Sequence, residues 1–107
     1  MVYAIAQLWI HDAATYGRYV ERFMEVFRKY KGHVLVADES PVVLEGAWDG
    51  TKVVVLSFPD EESLRAWAES PEYLEIAQDR KAGAKSVIVM VQGIASRAGV
   101  AQEVAKT

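Results

Sequence analysis

Three polar residues of this chain have side chains suited to catalysis: His33, Glu45 and Arg80. Histidine ordinarily titrates nearest neutral pH, so His33, which opens an extended segment directly after Gly32, is the best general acid–base candidate. Glu45 offers a base or an orienting carboxylate, although it could equally form an ion pair with Lys52 across a hairpin. Arg80 offers a fixed cation, a role open to any solvated or salt-bridged helical arginine as well. Four aromatic residues, Tyr19, Trp48, Trp67 and Tyr73, could line a ligand pocket between a sheet and its helices, since small-molecule sites are apolar clefts with a few placed polar groups. Each has a plain structural reading too. Tyr19 falls on a helix stripe with Phe23, Trp67 can pack under its own helix, Trp48 can cover a sheet edge or a dimer contact, and Tyr73 can bond locally after a helix cap.

Other chemistries lack their residues. There is no cysteine, and the two histidines, His11 and His33, are far apart. A metal would therefore need both histidines with carboxylates, or histidines from two chains. No phosphate-binding glycine loop or nucleophile elbow occurs. Neither a metal nor a cofactor is expected. The net charge of −3 and pI near 5.3 argue against nucleic acid as a partner. No apolar segment approaches membrane-spanning length, and Met1-Val2-Tyr3-Ala4-Ile5 lacks the charged start and apolar core of a signal peptide. A cytoplasmic setting is expected, which suits a chain without disulfides.

The elements that would position these residues can be read in order. At 107 residues the chain is expected to hold one domain over 1–94 and a small, polar C-terminal tail over 95–107. Val2 to Ile10 reads as a strand with Tyr3, Ile5, Gln7 and Trp9 on one face. Asp12 caps a helix running to about Lys31, with Tyr16, Tyr19, Val20, Phe23, Phe27 and Tyr30 as its apolar stripe. Gly32 is expected to stop it in the left-handed conformation. His33 to Ala37 is a second strand, Val42 to Glu45 resumes extended structure, and Gly50 is able to take a positive φ in the turn before a third strand, Lys52 to Phe58. Asp60 caps one helical segment. Ser70-Pro71 starts another that ends near Ala82, and Ser86 to Gln92 is the fourth strand.

This β-α-β-β-α-β order is the ferredoxin-like arrangement, an α+β fold with an antiparallel sheet and its helices on one face. A sheet covered on one side should alternate apolar with polar residues. Val53-Val54-Val55-Leu56 and Val87-Ile88-Val89-Met90-Val91 do not. Leaving four large aliphatics uncovered would forgo roughly 6 to 12 kcal/mol of burial. A homodimer through the open sheet face is therefore expected.

Leu44-Glu45-Gly46 with Trp48, Val53 to Leu56 with Phe58-Pro59, Ala66-Trp67 and Ser70-Pro71-Glu72-Tyr73, together with Tyr16, Gly32 and Arg80, resemble a small bacterial family, domain-of-unknown-function family 1330, over residues 2–94. The resemblance implies a dimeric α+β barrel. It implies no activity of its own, but the wider superfamily is similar in fold to heme-degrading and quinol-forming monooxygenases, muconolactone isomerases and dye- or chlorite-decolorising heme proteins. Three functions remain open at the level of sequence. One is a cofactor-independent monooxygenase- or isomerase-like enzyme acting on a small aromatic substrate. The others are a non-catalytic small-ligand-binding dimer and a purely structural one.

Overall fold

Side-chain caps start each helix where the sequence places them. In the computed structural model, which describes residues 1–94, the order is β1 (Val2–Ile10), α1 (Ala13–Phe27), β2 (His33–Asp38), β3 (Lys52–Phe58), α2 (Glu61–Ala68), α3 (Pro71–Gly83) and β4 (Ala84–Gln92). The tail expected at 95–107 lies outside the described residues. The Asp12 carboxylate accepts from the Thr15 amide at 3.1 Å and the Thr15 hydroxyl at 2.8 Å. Asp60 accepts from the Ser63 amide at 2.7 Å, and the Ser70 hydroxyl from the Tyr73 amide at 3.2 Å, with Pro71 in the first turn of α3. Each cap satisfies a donor that the helix start would otherwise leave open.

The strands form one antiparallel sheet in the order β2-β3-β1-β4. α1 carries the chain from β1 over to β2, and α2 with α3 carry it from β3 to β4, so the fold is ferredoxin-like. Register follows pairs such as Val2↔Phe58 and Val2↔Gln92. With a side-chain period of two, Val2, Ala4, Ala6 and Leu8 share a face with Lys52, Val54, Leu56 and Phe58, and this is the face the helices cover. Leu8, Phe27, Phe58 and Ile76 are its most deeply buried large side chains. At the Phe58 end the core is aromatic. Trp67 of α2 stacks on Phe58 with centroids 5.6 Å apart and meets the Phe27 ring edge-on at 5.3 Å.

The opposite face carries Ile5, Val53, Val55, Val87, Val89 and Val91. Val87 and Val89 are 49% and 48% exposed. The unbroken apolar runs in the sequence thus correspond to a sheet with apolar side chains on both sides and helices on one.

Several local expectations are corrected. α1 ends at Phe27 rather than near Lys31, and a turn follows, closed by the Lys29 amide on the Val26 carbonyl and the Tyr30 amide on the Phe27 carbonyl. Gly32 is not left-handed. A Cβ there would lie 2.5 Å from Phe27 Cζ and 2.6 Å from Phe58 Cε1, so glycine is required because two rings close over the backbone. The positive φ expected at Gly50 occurs instead at Gly46, at 82°. Val42 to Glu45 is not a strand. The segment between β2 and β3 leaves the sheet, with Val42 83% and Leu44 95% exposed. It returns at Thr51, whose amide donates to the Leu8 carbonyl at 2.7 Å and whose hydroxyl accepts from the Ile10 amide at 2.8 Å.

Candidate functional site

Where the core is not filled by aromatic rings, the sheet floor is built of alanines. Ala4 and Ala6 from β1 and Ala37 from β2 face α1 and leave a cavity of about 230 Å³. A small residue on the floor of a sheet removes volume that its neighbours cannot recover. Tyr16, Tyr19 and Phe23 of α1 form one wall, and Tyr73 and Arg80 of α3 another. Val20 and Met24, 46% and 47% exposed, stand with Val34 of β2 at the mouth. A second hollow of about 300 Å³ lies among exposed Lys29, Lys31, Asp60 and Glu62. It is a charged surface groove and encloses nothing.

Two cations reach the alanine-floored cavity. Lys52 begins β3 on the covered face, and its stem is buried with the residue only 9% exposed. Its Nζ lies 4.9 Å from the centroid of the Tyr16 ring, a cation–π contact. Burial lowers the pKa of this ammonium, with the Glu39 charge opposing the shift. Arg80, on the last turn of α3, donates from Nη1 to the Ser86 hydroxyl at 3.0 Å. Its Nε is buried and has no acceptor. Among the described residues neither cation forms an ion pair with a carboxylate. The five ion pairs described are on the surface, between α1 and α3 (Arg18–Asp79, Arg22–Glu75) and from Lys29 to Glu72 just beyond α1, and along α2 through Arg65.

Three phenols complete the polar set. The Tyr19 and Tyr73 hydroxyls share a buried hydrogen bond of 2.9 Å that ties α1 to α3. Burial pushes the Tyr19 phenol far up, reinforced by Tyr73. Burial also raises Tyr16, to about 12, against the opposing pull of the Arg80 charge. Tyr16 and Tyr19 are therefore neutral phenols at physiological pH.

Of the residues singled out from sequence, Tyr19, Tyr73 and Arg80 come together here. The other four lie elsewhere. His33 pairs with Ser57 in the register of β2 and β3, which sets it on the open side of the sheet, exposed. Glu45 is exposed in the segment between β2 and β3, and Lys52 lies against Tyr16 instead of pairing with it. Trp48 is 37% exposed and sits beside Gly50 near the Gln7 side chain, also away from the cavity. Trp67 is buried in the aromatic core among Phe27, Phe58 and Tyr73, outside the cavity lining, and its indole N–H has no acceptor among the described residues.

Lys52 and Tyr16 were not identified as site residues by sequence reasoning. The signal was present in the alternation of β3, where Lys52 shares its face with Val54, Leu56 and Phe58. A lysine in phase with the buried positions of a strand reaches into the interior.

Comparison with known proteins places this geometry in context. Residues 1–94 match the family described as a domain of unknown function, DUF1330. No functionally curated protein matches the chain. Among solved structures it is similar to a protein of unknown function from Rhodopseudomonas palustris, with a TM-score of 0.74 and 16% identity, covering 86% of this chain and 81% of that one. It is also similar to SnoaB, a cofactor-independent oxygenase from Streptomyces nogalater, with a TM-score of 0.63 and 17% identity over 86% of this chain and 91% of that one. HapK from Hahella chejuensis matches with a TM-score of 0.62 and 15% identity over 91% and 96%. At these identities the likeness is one of fold.

Proposed function

We propose, for a chain that belongs to the DUF1330 family, that the cavity between α1 and the sheet binds a small, largely apolar molecule and serves cofactor-independent proton-transfer chemistry on it. The observation that carries the reading is the largely buried Lys52 side chain, which sets its amine against the Tyr16 ring in a space whose other lining, Arg80 apart, is mostly apolar and aromatic. A desolvated lysine spends more of its time as the free amine, which is a base. Such a base can take a proton from carbon beside a carbonyl, and the enolate oxygen that forms is stabilised by Arg80 and the neutral phenols. Returning the proton to another carbon completes an isomerisation, with every atom accounted for. The fold shared with an oxygenase that works without a cofactor supports this reading by analogy. The cavity volume of about 230 Å³ suits a ligand of one or two rings.

We also propose that two copies pair through the open sheet face. The support is the open face itself, with Val87, Val89 and Val91 exposed on β4 and Val36 exposed on β2 at the far edge of the same face. The absence of cysteine from the chain suits the reducing cytoplasm as its place of work.

The test uses 2-tetralone, a two-ring ketone with an acidic carbon, in deuterium oxide. Proton NMR should show deuterium entering beside the carbonyl faster with wild-type protein than in buffer, and at the buffer rate with Lys52→Met. Filling the floor with Ala6→Phe should abolish both the exchange and any thermal shift by the ketone. A thermal shift without exchange would make the protein a binding module. Neither effect would leave the cavity without a ligand role.

A further inference from the structure

Lys52 and Arg80 are the two cations lining the cavity, and among the described residues neither has a carboxylate within ion-pair distance. Lys29, Arg18, Arg22 and Arg65 each have a carboxylate within ion-pair distance, and the other described cations without one, Arg28, Lys31, Lys81 and Lys85, are exposed to water, whereas Lys52 and Arg80 are drawn into the cavity lining. Both cations line one small, largely apolar space, and the Lys52 stem is buried there. The Arg80 guanidinium bears a further cost. Nη1 is used by Ser86, but Nε is buried without an acceptor. An unpaired buried donor is unfavourable, and one on a charged group more so. The Tyr16 ring faces Lys52, and the Arg80 charge is felt at both the Tyr16 and Tyr19 phenols, so these groups converge on one part of the cavity. The remaining walls, Ala6, Val54, Phe23 and Ile88, offer only apolar surface.

We infer that the cavity is built for a small carboxylate: an apolar body against the alanine floor and Phe23, with its carboxylate held between Arg80 and Lys52. This rests on the reading of the cavity as a ligand site, not on Lys52 as its base, since a carboxylate beside Lys52 holds it as the charged ammonium, and it specifies which class of ligand the cavity takes. A carboxylate supplies what the residues of the site do not give one another. It accepts from the guanidinium, which is shaped for two parallel hydrogen bonds to a planar anion, and it supplies the opposite charge that neither cation has within ion-pair distance. A neutral ligand of the same shape leaves both cations as they are. Discrimination by a polar group buried and unpaired without its partner is steep compared with discrimination by shape alone.

The probes are 2-naphthoate and its neutral near-isostere 2-naphthamide, titrated calorimetrically into the full chain. The wild-type protein should bind naphthoate at least tenfold more tightly than naphthamide. Arg80→Gln, which keeps a donor for Ser86, should bring that ratio to about one by weakening naphthoate alone. Arg80→Lys should retain part of the preference. Lys52→Met provides a second variant should Arg80→Gln fail to fold, and it too should reduce the ratio. Equal binding of the two probes by the wild-type protein overturns this inference and leaves the cavity reading standing. A naphthoate preference that survives both variants also overturns it, because the anion is then held elsewhere. Binding of neither probe overturns the inference together with the cavity reading.

Discussion

The hydrogen bond between Tyr19 and Tyr73 makes a quantitative prediction. The two side chains are 7% and 6% exposed, their hydroxyls are 2.9 Å apart, and they join α1 to α3 beside the cavity. Replacing Tyr19 with Phe keeps the ring and its edge-on contact with Tyr73, at 6.1 Å and 75°. It removes one hydroxyl and leaves the other buried without a partner. The expected cost is about 1–3 kcal/mol, most of it the desolvation of the orphaned group. Tyr73→Phe should cost about the same for the reciprocal reason. The double variant removes both hydroxyls, leaves no orphan, and should cost no more than about 1 kcal/mol. The double variant should thus be more stable than either single one, a strong non-additivity. For a domain of this size each kcal/mol moves the melting temperature by about 4–8 °C, so the singles should melt visibly below the double. Urea unfolding monitored by circular dichroism, at one fixed protein concentration, gives all three values from midpoint shifts at constant slope. A double variant whose loss equals the sum of the single losses would refute the reasoning. It would mean that each hydroxyl is satisfied by something other than its neighbour.

Four further outcomes follow from the geometry. Lys52→Met should leave the empty protein as stable or slightly more stable, because an apolar side chain of similar length removes a buried cation while giving up a cation–π contact of about 0.5–1 kcal/mol; a loss above about 2 kcal/mol in thermal or urea unfolding would make Lys52 a structural residue. Gly83→Ala should cost about 3 kcal/mol, since its Cβ would lie 2.6 Å from the Tyr16 backbone nitrogen and 2.9 Å from the Asp12 carbonyl oxygen, neither free to move; urea unfolding near wild type would refute that packing. Val89→Asp should yield monomers in sedimentation at micromolar concentration, where the wild type should run at about twice 11.9 kDa; a wild-type monomer would remove the case for pairing through the sheet. Stability should fall on acidification, because Asp12, Asp60 and Glu72 are all held below their ordinary pKa, by hydrogen bonds from Thr15, from Ser63, and from Lys29 with Tyr30. These carboxylates bind protons less readily folded than unfolded, so their contribution is present above the ordinary carboxylate range and is lost as pH falls through the folded values. Melting temperature against pH for the Asn and Gln variants should show a flatter acid limb.

Local chemistry made much of the fold legible in the sequence. The β1 and β3 boundaries agree with the expected ones because alternation and flanking turn residues coincide, and Asp12, Asp60 and Ser70 cap the helices because short polar side chains bind open amides. Expectations failed where the deciding contact is distant in sequence. Val42 to Glu45 has the composition of a strand, but an extended segment needs a neighbour, and β3 already pairs with β1 and β2. Gly32 was legible as a glycine that matters, while the reason for it, two rings closing on its backbone, depends on Phe58. For the site, the aromatic and arginine candidates on α1 and α3 converge because the helices are neighbours. His33 was attractive for its chemistry, yet the register of one strand pair sets it on the opposite side of the sheet. Lys52 could have been found from strand phase, but a lysine is ordinarily read as surface.

The two borders of the sheet are unequal, and this bears on how the protein behaves when it is concentrated or partly unfolded. β2 is broken by a bulge between Val34 and Val36, a device that spoils templated strand addition. β4 ends the sheet on the other side with no such break among the described residues, and Ala84–Gln92 carries a single charge, Lys85, ahead of the run Val87-Ile88-Val89-Met90-Val91. A segment so rich in β-branched residues and so poor in charge is a ready template for fibrillar stacking. Aggregation of this protein should therefore start at β4, and a lysine at Val91 would serve as a gatekeeper against it.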